Sequence, residues 1–413
     1  MVTRRLDALD GLRGVAALMV VIYHAMGYSA WFREGMYEYR AAGSFAWLVT
    51  ISPLRALFDG RVAVMAFFVL SGFVLARNFW RHKRTNWPRY YVRRALRLYP
   101  PVVASAALAL VFLALRQMIG GTGVGLVDLD AAGASMSTLI QNMGLVTLID
   151  APLNVVWWSL RWEVWFSILL PVIFVALVLS GCGPNRRFRS APILFGVGCI
   201  ALVGAQPWIE LTYDTSYSIS RAILYLPMFG VGVAVAAFEK PLVEAAWLRP
   251  RTGWLVCGVA GALLATRGPL GSLAVTGRID PQLGIGLAGA LPLAGIALSI
   301  VLLLAWPVAR RSLSVRPIVW LGERSYSLYL VHLPLVALLG VAFAVTRATV
   351  WFVALCVGSS LVLMVVFHRC VERPSAALAG RFARRPVVEP TDGPATADRR
   401  RDDARLKVPV GAP

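Results

Sequence analysis

Charged residues are scarce in this chain. Asp, Glu, Lys and Arg make up 15% of its 413 residues, against about 25% in ordinary soluble domains. With 58% hydrophobic residues and a mean hydropathy of +0.68, a soluble fold is excluded and the surrounding solvent is a bilayer. Acids are the scarcer sign: 21 Asp and Glu against 41 Lys and Arg, a net charge of +20. The basic residues sit in short blocks between apolar runs, which suits anionic headgroups and cytoplasmic loops rather than nucleic acid. The five cysteines, Cys182, Cys199, Cys257, Cys356 and Cys370, stand singly in or beside apolar runs. No CxxC or metal-ligand spacing occurs, so no metal site is expected. No Walker or dinucleotide glycine loop occurs either, so a nucleotide-bearing ligand would need other phosphate contacts. No internal repeat is visible, although many transporters carry one.

What is abundant is long apolar sequence. Ten candidate spans lie at about 12–30, 61–80, 99–117, 155–180, 191–206, 221–238, 253–267, 284–306, 319–345 and 348–368. The expected fold is therefore all-α, a polytopic integral membrane bundle of about ten transmembrane helices. Arg4 and Arg5 precede the first run as in a signal peptide, but no small-residue cleavage site follows promptly, so the run is read as a retained span. Basic blocks at Arg81–Arg97, Arg186–Arg189, Lys240–Arg251 and Arg310–Arg316 all fall on one side of a ten-span chain. That side is read as cytoplasmic, with both termini on it. Domain 1–375 is read as the membrane-embedded body. Residues 376–413, polar and proline-bearing, are read as a disordered cytoplasmic tail. The segment 118–154 opens glycine-rich, and its second half has the composition of a short re-entrant or interfacial helix.

Several polar residues stand where lipid should not tolerate them. Arg13 and His24 share the first span, eleven positions apart, which places them within roughly 20° of one face and about 16 Å apart along the axis. Asp10 is a nearby partner for Arg13. Ser71 lies beside Gly72 in span two, where small residues allow close helix approach or a polar contact. Arg93, Arg94 and Arg97 recur at helical spacing; they read either as positive-inside anchors or as a phosphate clamp, because arginine forks match phosphate oxygens. Arg161 and Glu163 lie in an aromatic-rich run, and Glu163 needs a partner such as an arginine. Ser325, Tyr329 and His332 share one stripe of span nine, with Tyr326 beside it. A snorkelling Arg13 and internally bonded histidines would account for each feature singly; together they argue for a polar cavity.

The segments LDGLRGVAALMVVIYH, FFVLSGF, RRALRLYP, WSLRWE, RAILYLPMF, LGERSYSLYLVHLP and VERP, taken in order, resemble the bacterial membrane-bound acyltransferase 3 family over about residues 6–375. The resemblance implies a membrane O-acyltransferase of the cell (cytoplasmic) membrane. It implies acyl-CoA, in the first instance acetyl-CoA, as cytoplasmic co-substrate, with no bound cofactor. The acceptor would be a hydroxyl of a surface glycan, glycolipid or related molecule. It implies catalytic roles for His24 and Arg13, and contacts from Ser71, Arg94 and Arg97. There are departures. Ala63 stands where the family usually has glycine. RWEVWFS replaces the usual SVEEQFY, which retains Glu163 but puts Val164 and Ser167 at the second acid and the tyrosine. On this reading His24 is the base, Arg13 positions the donor, and Glu163 is the matching carboxylate. Asp10, Ser71, Arg93, Arg94, Arg97, Ser325, Tyr326, Tyr329 and His332 contact substrate. The competing class is a glycan or lipid transporter that uses the buried His, Arg and Glu as a proton relay.

Overall fold

The computed structural model describes residues 3–41, 43–81, 86–119, 145, 154, 156–177, 190–213, 217–244, 250–343, 345 and 348–383. Among the described residues every regular element is a helix. In chain order these are α1 (Thr3–Met26), α2 (Ala30–Tyr37), α3 (Ser44–Thr50), α4 (Gly60–Arg81), α5 (Trp87–Met118), α6 (Trp157–Leu177), α7 (Ala191–Tyr213), α8 (Tyr217–Ala237) and α9 (Glu239–Glu244). They continue with α10 (Pro250–Leu264), α11 (Arg267–Val275), α12 (Pro281–Ala305), α13 (Pro307–Leu313), α14 (Arg316–Glu323), α15 (Ser325–Ala342), α16 (Val350–Phe367) and α17 (Arg373–Ala383). A 3₁₀ turn at Pro53–Leu57 leads into α4, and a π turn at His368–Glu372 joins α16 to α17.

Ten segments are long and apolar enough to cross a membrane, and each overlaps one expected span. The backbone departs from the apolar pattern in four places. The basic motif RRALRLYP is not a loop: it is part of α5, a single helix of 32 residues that carries Pro100 and Pro101 in its interior. The seventh span is built from α10 and α11, with a turn at Ala265–Thr266 between them. The ninth is broken at Arg324 into α14 and α15. Finally, α17 carries helix to Ala383, into the segment read as tail. The rest of that tail, and the candidate re-entrant helix before residue 154, lie outside the described residues.

Glycines determine which helices meet. A Cβ on Gly72 of α4 would sit 2.1 Å from the Phe229 carbonyl oxygen of α8, and one on Gly232 of α8 would sit 2.0 Å from the Val69 carbonyl oxygen of α4. Two backbones therefore touch reciprocally, the close approach that small residues permit in apolar surroundings. Beside that seam Phe166 of α6 stacks on Phe229 at 4.2 Å, and Phe68 lies 4.7 Å from the same ring. The DGLRG stretch of α1 works similarly. A Cβ on Gly11 would meet the Leu313 carbonyl oxygen at 2.1 Å, and one on Gly322 of α14 would meet the Asp10 carbonyl oxygen at 1.8 Å. These contacts fix the rotation of α1, and so the direction of Arg13.

At the opposite end, a buried ionic knot ties the short helices to the spans. Arg55 donates from Nε to Asp59 Oδ2 at 2.7 Å and from Nη2 to the Met36 carbonyl at 2.8 Å. Arg267 of α11 approaches the same carboxylate at 3.3 Å. Burial alone would push the Asp59 carboxyl up; Arg55 and Arg267 more than offset it and hold the group at about 2. Asp59 also caps α4, accepting from the Arg61 amide at 2.9 Å, which satisfies one of the helix's unpaired N-terminal donors.

Candidate active site

A cavity opens between α1, α4, α6 and α15. Its polar wall is Arg13, Ser71, Ser159, Glu163, Ser325, Tyr326 and Tyr329, and its apolar wall is Val64, Phe67, Phe68 and Leu160. Two wall groups are spoken for: Tyr326 donates to the Leu98 carbonyl at 3.1 Å, and the Tyr329 hydroxyl meets Ser159 Oγ at 2.6 Å. Ser325 differs. It is 1% exposed, yet its hydroxyl has no hydrogen-bond partner among the described residues. A buried hydroxyl without a partner costs about 1–3 kcal/mol, and this one lines a cavity that a ligand could enter.

One side of the cavity is a network anchored on Glu163. Its Oε1 accepts from Arg94 Nη2 at 2.7 Å and from Ser71 Oγ at 3.2 Å. Arg94 Nε donates to Ser167 Oγ at 2.7 Å, and Ser167 donates onward to the Glu163 carbonyl at 2.6 Å. The carboxylate thus joins α4, α5 and α6, and Arg94 Nη1 has no hydrogen-bond partner among the described residues. Arg97 is exposed and stands in the fields of Arg13, Arg94, Glu163 and Glu372. Arg13 lies 4.0 Å from Asp10 with both side chains partly exposed, a pairing too loose and too solvated to hold the guanidinium rigidly.

Beyond Tyr329 lies a pair of histidines. The Tyr329 ring is 5.8 Å from that of His332. His332 Nε2 is 3.1 Å from His24 Nδ1, which joins α15 to α1. His332 is fully buried and His24 half-buried. Among the described residues, the remaining hydrogen bonds of both rings are to backbone carbonyls of their own helices.

A family model described as an acyltransferase domain (acyltransferase 3) matches residues 6–369. The chain belongs to the acyltransferase 3 family. Two curated relatives are the peptidoglycan O-acetyltransferase OatA of Listeria monocytogenes and the acyltransferase MdmB of Streptomyces mycarofaciens. OatA is 22% identical over 387 residues, 89% of this chain and 55% of its own length. MdmB is 29% identical over 413 residues, 95% of this chain and 96% of its own length. The chain thus spans about half the length of OatA and nearly all of MdmB. No solved structure matches it.

In this acyltransferase 3 chain, the residues singled out from sequence fall into three places. Arg13, Ser71, Glu163, Ser325, Tyr326 and Tyr329 line the one cavity. Asp10, Arg94 and Arg97 surround its Arg13–Glu163 side. His24 and His332 form a separate pair reached through Tyr329. Arg93 is exposed and joins none of these groups. The arginine expected beside Glu163 is Arg94, so a residue read as a phosphate ligand has its fork already engaged on a carboxylate. Sequence reasoning passed over Ser159, whose hydroxyl holds Tyr329; it is part of the WSLRWE motif, which was the available signal. The same reasoning took Glu372, with His368 and Arg369, only as the cytoplasmic boundary of span ten; Glu372 accepts from the backbone amide of Ser327 at 3.2 Å, from the Ser327 hydroxyl, and pairs with His368 at 2.9 Å. The VERP motif that contains Glu372 was the available signal.

Proposed function

We propose that this chain transfers an acyl group, acetyl in the first instance, from acyl-CoA to a hydroxyl of a surface glycan, glycolipid or related acceptor. The observation that carries this reading is the cavity with an unpartnered buried Ser325 hydroxyl, walled by Arg13 and Glu163 and separated from the histidine pair by Tyr329. The charged side of that cavity suits the phosphates of the donor, and the histidines suit proton transfer. Arg97, Arg13 and the unused Nη1 of Arg94 are the donor contacts. Arg93, exposed on the same helix, meets the donor or lipid headgroups at the surface. Glu163 and Ser71 hold Arg94 in place. Both termini and the donor entrance are placed in the cytoplasm on the strength of the basic blocks, with the protein in the cytoplasmic membrane.

The chemistry follows from these positions. Neutral His24 takes the acceptor hydroxyl proton as general base. The oxygen attacks the thioester carbonyl, the C–S bond breaks, and the proton passes from His24 to the departing thiolate. MdmB matches the chain end to end and OatA carries an O-acetyltransferase name; both favour transfer over transport by a proton relay. The test is release of free CoA thiol by purified protein supplied with acetyl-CoA and candidate acceptors. His24→Ala should abolish release while leaving the protein folded in detergent. A transporter would move substrate and leave acetyl-CoA intact. Mass spectrometry of surface glycans and lipids from a deletion strain and its parent identifies the acceptor.

A further inference from the structure

The two intramembrane histidines are not equivalent. A backbone carbonyl only accepts hydrogen bonds, so an imidazole nitrogen bonded to one must carry the proton. His332 Nδ1 lies 3.1 Å from the Leu328 carbonyl oxygen and 2.9 Å from that of Tyr329. The proton of neutral His332 is therefore on Nδ1, and its Nε2 is a lone pair. That lone pair faces His24 Nδ1 at 3.1 Å. His24 Nδ1 also lies 2.9 Å from the Val20 carbonyl oxygen. It too carries its proton, shared between two acceptors. Of the four ring nitrogens, only His24 Nε2 is left as a lone pair without a hydrogen-bond partner among the described residues. The asymmetry comes from the backbone of α15, which occupies His332 from one side, and from burial, which is complete for His332 and partial for His24.

We propose that His332 is a positioning residue that sets the tautomer of His24 and stabilises its charged form. The inference rests on the reading of His24 as the base. The acceptor O–H proton goes to His24 Nε2, the oxygen pair forms the new C–O bond, the C–S bond breaks, and the same proton leaves from Nε2 to the thiolate. His332 neither gains nor loses a proton. Its Nε2 accepts from His24 Nδ1 throughout. While His24 is an imidazolium that bond is charge-assisted and roughly twice as strong as in the neutral ring. The extra strength exists only after proton transfer has begun, so it acts on kcat and not on KM.

Three variants test this: His332→Gln, which puts an amide oxygen near the Nε2 position; His332→Leu, which removes the acceptor; and His24→Ala. The expected result for His332→Leu is a fall in kcat of roughly ten- to a hundredfold at nearly unchanged KM for acetyl-CoA. His332→Gln should recover most of that loss. Nitrogen-15 spectra of histidine-labelled protein give a readout independent of turnover. The chain has four histidines, few enough to assign by single substitution, and His24 should appear protonated on Nδ1. A folded His332→Leu enzyme with near-normal kcat overturns the proposal, as does a loss confined to KM, or a folded Gln variant as slow as Leu. If His332→Leu does not fold, the Gln variant and the spectrum decide, and a His24 protonated on Nε2 overturns the assignment. Near-normal turnover in His24→Ala would instead overturn the underlying reading of the base.

Discussion

Glu163→Ala isolates what the ionic wall of the cavity contributes. The substitution deletes the bond from Arg94 Nη2 at 2.7 Å and the bond from Ser71 Oγ at 3.2 Å. It also strands a guanidinium whose side chain is only 16% exposed. Both bonds end on a charged carboxylate, and bonds of that kind are worth about 1.5–3 kcal/mol each, so the low end of the range gives an expected loss of about 3 kcal/mol. Both side chains keep some contact with solvent, which holds the figure at the low end of the range for breaking a buried pair. Glu163→Gln keeps an acceptor for both partners and should cost about 1 kcal/mol. The double variant Arg94→Met, Glu163→Met removes both charges, and such replacements are nearly neutral to folding. Its stability should therefore exceed that of Glu163→Ala, and in the cycle closed by the single variants Arg94→Met and Glu163→Met the coupling should be about 1–3 kcal/mol. Denaturation in detergent reads the stabilities, and CoA release read against acetyl-CoA concentration shows whether Arg94 also serves the donor. If so, the double variant is stable but has lost about tenfold or more in apparent donor affinity. A Glu163→Ala protein within about 0.5 kcal/mol of wild type, or an additive cycle, would refute the reasoning.

Gly72→Ala forces a methyl group against the Phe229 carbonyl and should cost about 2–3 kcal/mol, whereas Gly198→Ala, with nothing within 4 Å of the new Cβ, should be close to neutral; thermal unfolding compares them. Asp59 is held at about 2, below its ordinary 3.8. Its contribution is therefore fully present above about pH 4 and lost as pH falls towards 2. The stability gap between wild type and Asp59→Asn should be widest near neutral pH and close over that acid window. Arg97→Lys should raise the KM for acyl-CoA by roughly tenfold, since a point charge lacks the planar fork, while Arg316→Lys should leave it unchanged; equal behaviour would make the α5 block topological. Reporter fusions that need an oxidising compartment should fail at Pro413 and succeed near Arg278, and the reverse pattern would relocate the donor entrance.

The number of spans and the class of the fold were legible in the sequence. Hydropathy is a local property summed over about 20 residues, and the bilayer imposes that length on each helix separately. The polar residues of the cavity and of the histidine pair were legible for a related reason: lipid makes each of them costly, so Arg13, Glu163 and His332 stand out wherever the chain folds. Pairing was not legible. That Arg94 meets Glu163 depends on α5 crossing α6. That His24 meets His332 depends on two helices some 300 positions apart in sequence, an |i−j| of 308. The close backbone contacts at glycine, α4 to α8 at Gly72 and Gly232 and α1 to α13 and α14 at Gly11 and Gly322, were equally hidden, because a glycine in an apolar run does not name its partner. Protonation was decided later still. Two histidines in apolar helices look alike as letters; only the carbonyls of Leu328, Tyr329 and Val20, brought to bonding distance by the coil of each helix and the packing of α1 on α15, leave one nitrogen of the pair free to take a proton.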